Sequence, residues 1–526
     1  MQLFFTFLAY TLFVACYSWY KLRKEKLNSH EGYFLGGRSL TGVVIAGSML
    51  LTNISTEHLI GMNGSSYKNG FIIIAWEVTS ALALILTAVY FVPKYLKMGL
   101  TTIPQFLENR FDGFTRSLVA FFLIISFIVT LLPIVLYTGA INLESIFNVS
   151  ELLGVSQTQG MNYTIWAIGL VGSLYAIFGG LKAVAVSDTL NGYGLLVGGL
   201  AIPFIALVSI GEGNPLEGLS SVYRNAPEKF NVIGAKDSVM PFEVLFTGLI
   251  INQIYFWCMN QMIIQRALGA KNLKEAQKGL LFTGLLKILV PLIIILPGVI
   301  GFYYFGDLYY DRQDMIYPEL IKKVLPAGFV GVFAAIVMGA VLSTFNSVLN
   351  SAATIFSIDI FKRHINPEIS DGRLVKIGKI TSAVLAIFAI VVAPMVANAP
   401  DGLYQLLQQL NGIFFIPIAS IMLAGFFLPK ISALAAKAAL LVGLTFYISC
   451  TFIFKVDLHF VHIWGIEFII NMAVMGLISY FIPKEKPFQI SDLQIVEMKE
   501  WKFTKGFSIF MVVSTLLIYI LLGNFN

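Results

Sequence analysis

Residues 51–64 read LTNISTEHLIGMNG. Asn53, Ser55, Thr56, Glu57 and His58 interrupt an apolar run that begins with GVVIAGSML and resumes with FIIIAW. A helix that breaks within LTNIST frees backbone carbonyls, and freed carbonyls inside a membrane can bind a cation. The bland alternative is that these polar side chains bond back to carbonyls one turn earlier. Gly61 and Gly64 permit close backbone approach. Far downstream, GAVLSTFNSVLNSAATIFSIDIF carries adjacent hydroxyls, Ser343 and Thr344, in apolar surroundings. Carbonyls from one helix and hydroxyls from another make an oxygen cage suited to a hard cation. A second interruption, NQIYFWCMNQ at 252–261, gathers amides and aromatics that can hydrogen-bond and stack on an organic solute. Glu57, His58, Glu77 and Lys287 are ionisable groups within apolar segments, and Asp188 opens another. Charge at mid-membrane is costly and usually functional. His58 has two possible roles: a neutral ring that bonds a solute hydroxyl, or a group that takes up a proton near physiological pH.

The elements that must position these residues are membrane helices. The chain has 526 residues, of which 57% are hydrophobic and 12% charged, roughly half the charge of a soluble protein. Apolar runs of about 20 residues recur along it, the length that crosses a bilayer. An outer-membrane barrel is excluded, because barrel strands alternate in hydrophobicity. Hydropathy predicts an all-α polytopic protein with about 14 spans, at 2–20, 40–66, 70–92, 115–146, 162–180, 186–209, 241–264, 277–304, 328–360, 374–396, 402–427, 431–453, 463–482 and 506–523. About 26 of the 35 Lys and Arg then fall in loops assigned to the cytoplasm or in the helix ends beside them, among them KLRKEK and PKEKPFQ. The net charge of +6 therefore reads as a topological signal and not as a nucleic-acid surface. Both termini are expected outside an inner cell membrane, with the first span retained. Cys16, Cys258 and Cys450 lie in apolar segments and imply no disulfide framework. No loop is long enough for a soluble domain. An intramembrane enzyme would need a nucleophile–base or metal constellation, and neither HExxH nor GxSxG occurs. A channel would need a continuous polar lining, whereas polarity here concentrates at the midplane.

The interrupted spans open two runs of five that start on opposite sides of the membrane, the pattern of an inverted repeat around a midplane site. The expected organisation is an extra span and loop at 1–37, repeats at 38–210 and 241–427, and three further spans at 428–526. YFLGGRSL, LTNISTEHLIGMNG, WEVTS, TTIPQFLENRFD, YAIFGGLKAVAVSD, QRALGAKNLKEAQKG and STFNSVLNSAATIFSIDIF, in this order, resemble the sodium/solute symporter family, and within it the bacterial sodium/sugar branch. The resemblance implies a LeuT-type 5+5 core. It implies a sodium site from the carbonyls of Leu51, Ile54 and Ala340 and the hydroxyls of Ser343 and Thr344. It implies a solute pocket at His58, Glu77, Ser80, Gln253, Lys287 and Gln408, supported by Asn53 and Glu57, with Phe256 as inner gate beside Trp257. Asp188 matches an aspartate of a sodium release path or second sodium site. The resemblance implies departures from the branch's bacterial sugar transporter at His58, Gln253, Trp76 and Phe256, whose counterparts there are glutamine, asparagine and two tyrosines. The implied activity is sodium-coupled symport by alternating access, as a monomer or homodimer. The expected absence of arginine from the middle of any core span argues against a carboxylate solute, which favours a guanidinium fork. A neutral sugar or polyol is the expected solute, with an amino acid or organic acid as the alternative.

Overall fold

The computed structural model describes residues 2–23, 29–398, 403–484 and 488–524. Parts of the expected inner loops KLRKEK and PKEKPFQ lie outside the described residues. The described fold is helical throughout, apart from one isolated bridge between Leu40 and Ala270. The principal helices are α1 (Gln2–Leu22), α2 (Gly42–Asn53), α3 (Glu57–Lys97), α4 (Gly113–Phe147), α5 (Gln157–Ile210), α6 (Gly248–Met259), α7 (Gln261–Leu268) and α8 (Leu273–Phe305). They continue as α9 (Ala327–Ile355), α10 (Asp371–Val396), α11 (Leu403–Phe427), α12 (Ala433–Ile453), α13 (Phe460–Phe481) and α14 (Thr504–Leu522).

Among the described residues, eleven helices are long and apolar enough to cross a membrane, where fourteen spans were expected. The difference has local causes. The expected spans 40–66 and 241–264 are each divided, which leaves α2 and α6 too short to qualify alone. The second half of the first of these runs on into α3. The expected spans 162–180 and 186–209 are two helices within α5 that meet at a kink at Gly180, which adopts φ 58°, ψ −172°, a conformation essentially reserved for glycine. Of the two, Gly179–Ile210 is among the eleven.

Both breaks follow from polar residues. At the first, Ile54 leaves the helix with φ −84°, ψ 88°. The Ser55 N–H turns to the Asn53 carbonyl, and the His58 N–H to that of Ser55. In a continuous helix these two donors would serve Leu51 and Ile54, whose carbonyls are thereby released from the ladder. At the second, Asn260 takes φ −70°, ψ 120°, and its side chain accepts from the Met262 N–H as the N-cap of α7.

Helix α9 packs against α1, α2 and α5, and α8 packs against α2 and α3. The described cysteines are all free. On the face expected to be external, the glycines of the opening motif meet their partners. Gly61 lies against Tyr404, and a Cβ at Gly64 would stand 2.5 Å from the Gln313 carbonyl oxygen and 3.1 Å from the Asp314 nitrogen. These are backbone atoms and cannot step aside. Gly64→Ala should therefore disfavour closure of this face by about 1–3 kcal/mol. The expected outcome is faster amide hydrogen exchange over Tyr310–Met315 in the variant than in the native protein, with the protection of α9 unchanged.

Candidate functional site

Two polar centres lie around the first break, one addressed by side chains and one by backbone. The side-chain centre is a cavity of ≈ 50 Å³ between α2, α3, α6, α8 and α11. Its lining brings together Asn53, Glu57, His58, Trp76, Glu77, Ser80, Gln253, Phe256, Trp257, Lys287 and Gln408, the full set of solute-site residues the sequence proposed. Lys287 Nζ donates to Asn53 Oδ1 at 2.6 Å and makes a close ion pair with Glu77 Oε2. The His58 ring lies between two carboxylates, with Nδ1 3.6 Å from Glu57 Oε1 and Nε2 3.8 Å from Glu77 Oε1. Aromatic rings wall the site: Tyr404 stands edge-on to His58 at 5.2 Å and to Trp76 at 5.8 Å, and the Lys287 ammonium is 5.6 Å from the Trp257 ring centroid. Phe256 is half-buried and meets Trp257 at 5.2 Å. Among the buried polar atoms, Glu57 Oε2, His58 Nδ1 and Asn252 Oδ1 make no hydrogen bond.

Gln253 and Ser80 serve mainly to position others. Gln253 Nε2 donates to the Trp76 carbonyl at 2.8 Å and to Thr79 Oγ1 at 3.0 Å, while Gln253 Oε1 accepts from Ser80 Oγ and Trp257 Nε1, both at 3.1 Å. Its hydrogen-bonding capacity is largely spent on clamping α6 to α3. The free space is that of a few waters. A larger solute must part Lys287 from Glu77 or move the aromatic walls.

The backbone centre faces α9. Thr344 Oγ1 donates to the Thr52 carbonyl at 3.0 Å, and Thr52 Oγ1 lies 3.1 Å from Ser347 Oγ. The break and the hydroxyl pair are thus adjacent. Ser343 Oγ is buried and lies beside Asp188. Ala340 is fully buried one turn before Thr344. Two released carbonyls and a buried hydroxyl beside a carboxylate fit a hard monovalent cation, which takes oxygen ligands.

Asp188 is buried and accepts from Ser48 Oγ at 2.7 Å. It also faces Arg266, whose Nη2 is 3.9 Å from Asp188 Oδ2. Arg266 overturns one expectation. The predicted span ended at 264 and left this arginine in an inner loop, yet α7 runs to Leu268 and the residue is 0% exposed. It is held there because Ser48, Ser347 and the Met262 carbonyl accept its donors. Arg266 does not line the solute cavity.

Sequence reasoning also missed Tyr404 and Asn411, which line the cavity beside Gln408. Their spacing of four and three residues is a helical polar stripe that was available to be read. Glu467, fully buried in α13, went unnoticed as well.

A model of the sodium:solute symporter family matches residues 33–443. The chain belongs to this family. It is 45% identical to an uncharacterized symporter, YidK, of Escherichia coli (strain K12), over 99% of this chain and 91% of that protein. It is 33% identical to the sodium/glucose cotransporter of Vibrio parahaemolyticus, over 81% of this chain and 80% of the relative. Among solved structures, a Na+-coupled sialic acid symporter in a substrate-bound outward-open state superposes with a TM-score of 0.79, covering 92% of this chain and 99% of that one at 20% identity, a likeness of fold. The symporter family accounts for the polytopic helical architecture and for sodium as the coupling ion.

In this symporter the buried Lys287–Glu77 pair should behave as a unit. Lys287→Met leaves the Glu77 carboxylate uncompensated and should cost about 3–5 kcal/mol, read as a lowered Tm in detergent. Glu77→Gln combined with Lys287→Met should recover most of that stability and none of the solute binding.

Proposed function

We propose that this symporter imports a neutral polyhydroxyl solute, a hexose or related polyol, together with sodium. One observation carries the reading: the cavity presents carboxylate, amide, imidazole and ammonium groups side by side between aromatic faces, and no arginine lines it among the described residues. Hydroxyls both donate and accept, so a sugar can pair with Glu77, Lys287, Asn53 and Gln408 while its apolar faces rest on Trp76, Trp257 and Tyr404. The buried Arg266 does not weaken this argument, because it lies outside the cavity. The similarity to the sodium/glucose cotransporter supports the same solute class.

Sodium enters from outside and is held by the carbonyls of Leu51, Ile54 and Ala340 and the hydroxyls of Ser343 and Thr344. It ties α2 to α9 and favours the outward-open state. Solute then binds, the aromatic walls close, and the core rocks inward as two repeats, 38–210 against 241–427. Separation of α2 from α9 releases the ion. An inside-negative potential contributes about 2.3 kcal/mol per sodium for each 100 mV. The chain resides in the inner cell membrane with both termini outside.

Uptake into proteoliposomes under an inward sodium gradient tests the reading, with hexoses, inositols, amino acids and organic acids as solutes. Sodium-dependent accumulation of a hexose or polyol is expected; accumulation of an organic acid with hexoses ignored would overturn it. Thr344→Ala and Ser343→Ala should each raise half-saturating sodium about tenfold, the effect of losing about 1.5 kcal/mol from a hydrogen-bonding ligand to a charged group.

A further inference from the structure

Arg266 has no part in the solute cavity, yet its guanidinium is enclosed at the junction of α2, α5, α7 and α9. Nε donates to Ser48 Oγ at 3.2 Å, and Ser48 Oγ in turn donates to Asp188 Oδ2 at 2.7 Å. Nη1 donates to the Met262 carbonyl and Nη2 to Ser347 Oγ, both in close contacts. Asp188 is the carboxylate paired with it, at 3.9 Å. That distance is long for a pair with both members fully enclosed, because the guanidinium forks are committed elsewhere.

Position gives this arrangement its meaning. Ser347 follows Ser343 by four residues on α9, a rise of about 6 Å, toward the end of the helix expected to be cytoplasmic. Ser347 also touches Thr52 Oγ1, next to the released carbonyl of Leu51. An ion leaving the proposed cage inward passes Ser343, then meets Asp188 with Arg266 already beside it. We propose that Arg266 is a tethered cation on the inward sodium route: it competes with sodium for Asp188 and so favours release of the ion to the cytoplasm. The proposal rests on the sodium cage argued above. A fixed positive charge this near, with both groups buried, lowers the affinity of a second cation by about tenfold or more. It also supplies the carboxylate with a partner once the ion has gone, so that Asp188 does not hold the ion back.

Equilibrium binding of radioactive sodium to the purified protein tests this without requiring transport. Arg266→Gln should lower half-saturating sodium about tenfold and slow uptake turnover, because the ion now lingers at Asp188. Arg266→Lys, which keeps the charge, should bind sodium as the native protein does. Asp188→Asn should raise half-saturating sodium, since the guanidinium is then unopposed. An Arg266→Gln protein that elutes as the native one does and shows unchanged or weaker sodium binding would overturn the proposal. If Arg266→Gln does not fold, Asp188→Asn decides: unchanged sodium binding there overturns it equally. Unchanged sodium binding in Thr344→Ala would overturn the cage and this proposal with it, whereas a failure confined to the Arg266 and Asp188 variants leaves the cage standing.

Discussion

A backbone carbonyl inside a bilayer cannot be left to water, so a helix that unwinds there must give its freed groups other partners. The two breaks in this protein meet that demand in different ways. Between α6 and α7, Asn260 bends the chain and caps the following helix with its own side chain. That break is self-contained. Between α2 and α3 no side chain caps the restart. Thr344 reaches across from α9 to the Thr52 carbonyl, while those of Leu51 and Ile54 are left by the N–H groups that would normally bond them. The first break therefore depends on something outside its own helix, and the contact of α2 with α9 becomes sensitive to whatever supplies the missing charge.

The solute cavity shows the same economy. With ≈ 50 Å³ free, its polar groups mostly serve one another: Lys287 holds Glu77 and Asn53, and Gln253 is nearly saturated by α3 and Trp257. A buried ion pair of this kind gives little net stability, because desolvation offsets most of the attraction, yet it becomes costly as soon as one partner is lost. A solute that replaces the pair must restore every hydrogen bond it breaks. A polyhydroxyl molecule meets this condition more readily than an apolar one, and the atoms still unpartnered, at Glu57, His58 and Asn252, are further places for its hydroxyls.

Much of this was legible in the sequence, for physical reasons. Bilayer thickness turns hydropathy into spans, and polar residues stranded in apolar runs mark the sites that need them, as LTNISTEHLIGMNG and NQIYFWCMNQ did. What escaped was decided by tertiary enclosure. Arg266 follows an apolar segment and reads as a basic inner-loop residue; only the assembled Ser48, Asp188 and Ser347 wall shows why it is buried. The count of spans also differed, because hydropathy cannot see that the breaks after Asn53 and Met259 leave α2 and α6 too short to cross alone. Gln253 was legible as a pocket residue but not as a clamp, since its partners Trp76, Thr79 and Ser80 come from another helix.

Coupling requires that ion and solute each change the other's affinity by the same factor, and one short turn offers the means. Leu51, Thr52, Asn53 and Ile54 are consecutive. The carbonyls of Leu51 and Ile54 are the ones proposed to hold the ion and that of Thr52 accepts from Thr344, while the Asn53 side chain lines the cavity and accepts from Lys287. An ion that fixes the backbone of this turn fixes the place of the Asn53 amide, and through Lys287 that of Glu77. A solute that draws Asn53 or Lys287 toward itself pulls on the same backbone in return. Neither ligand needs to touch the other, because both act on a segment too short to adjust to them independently.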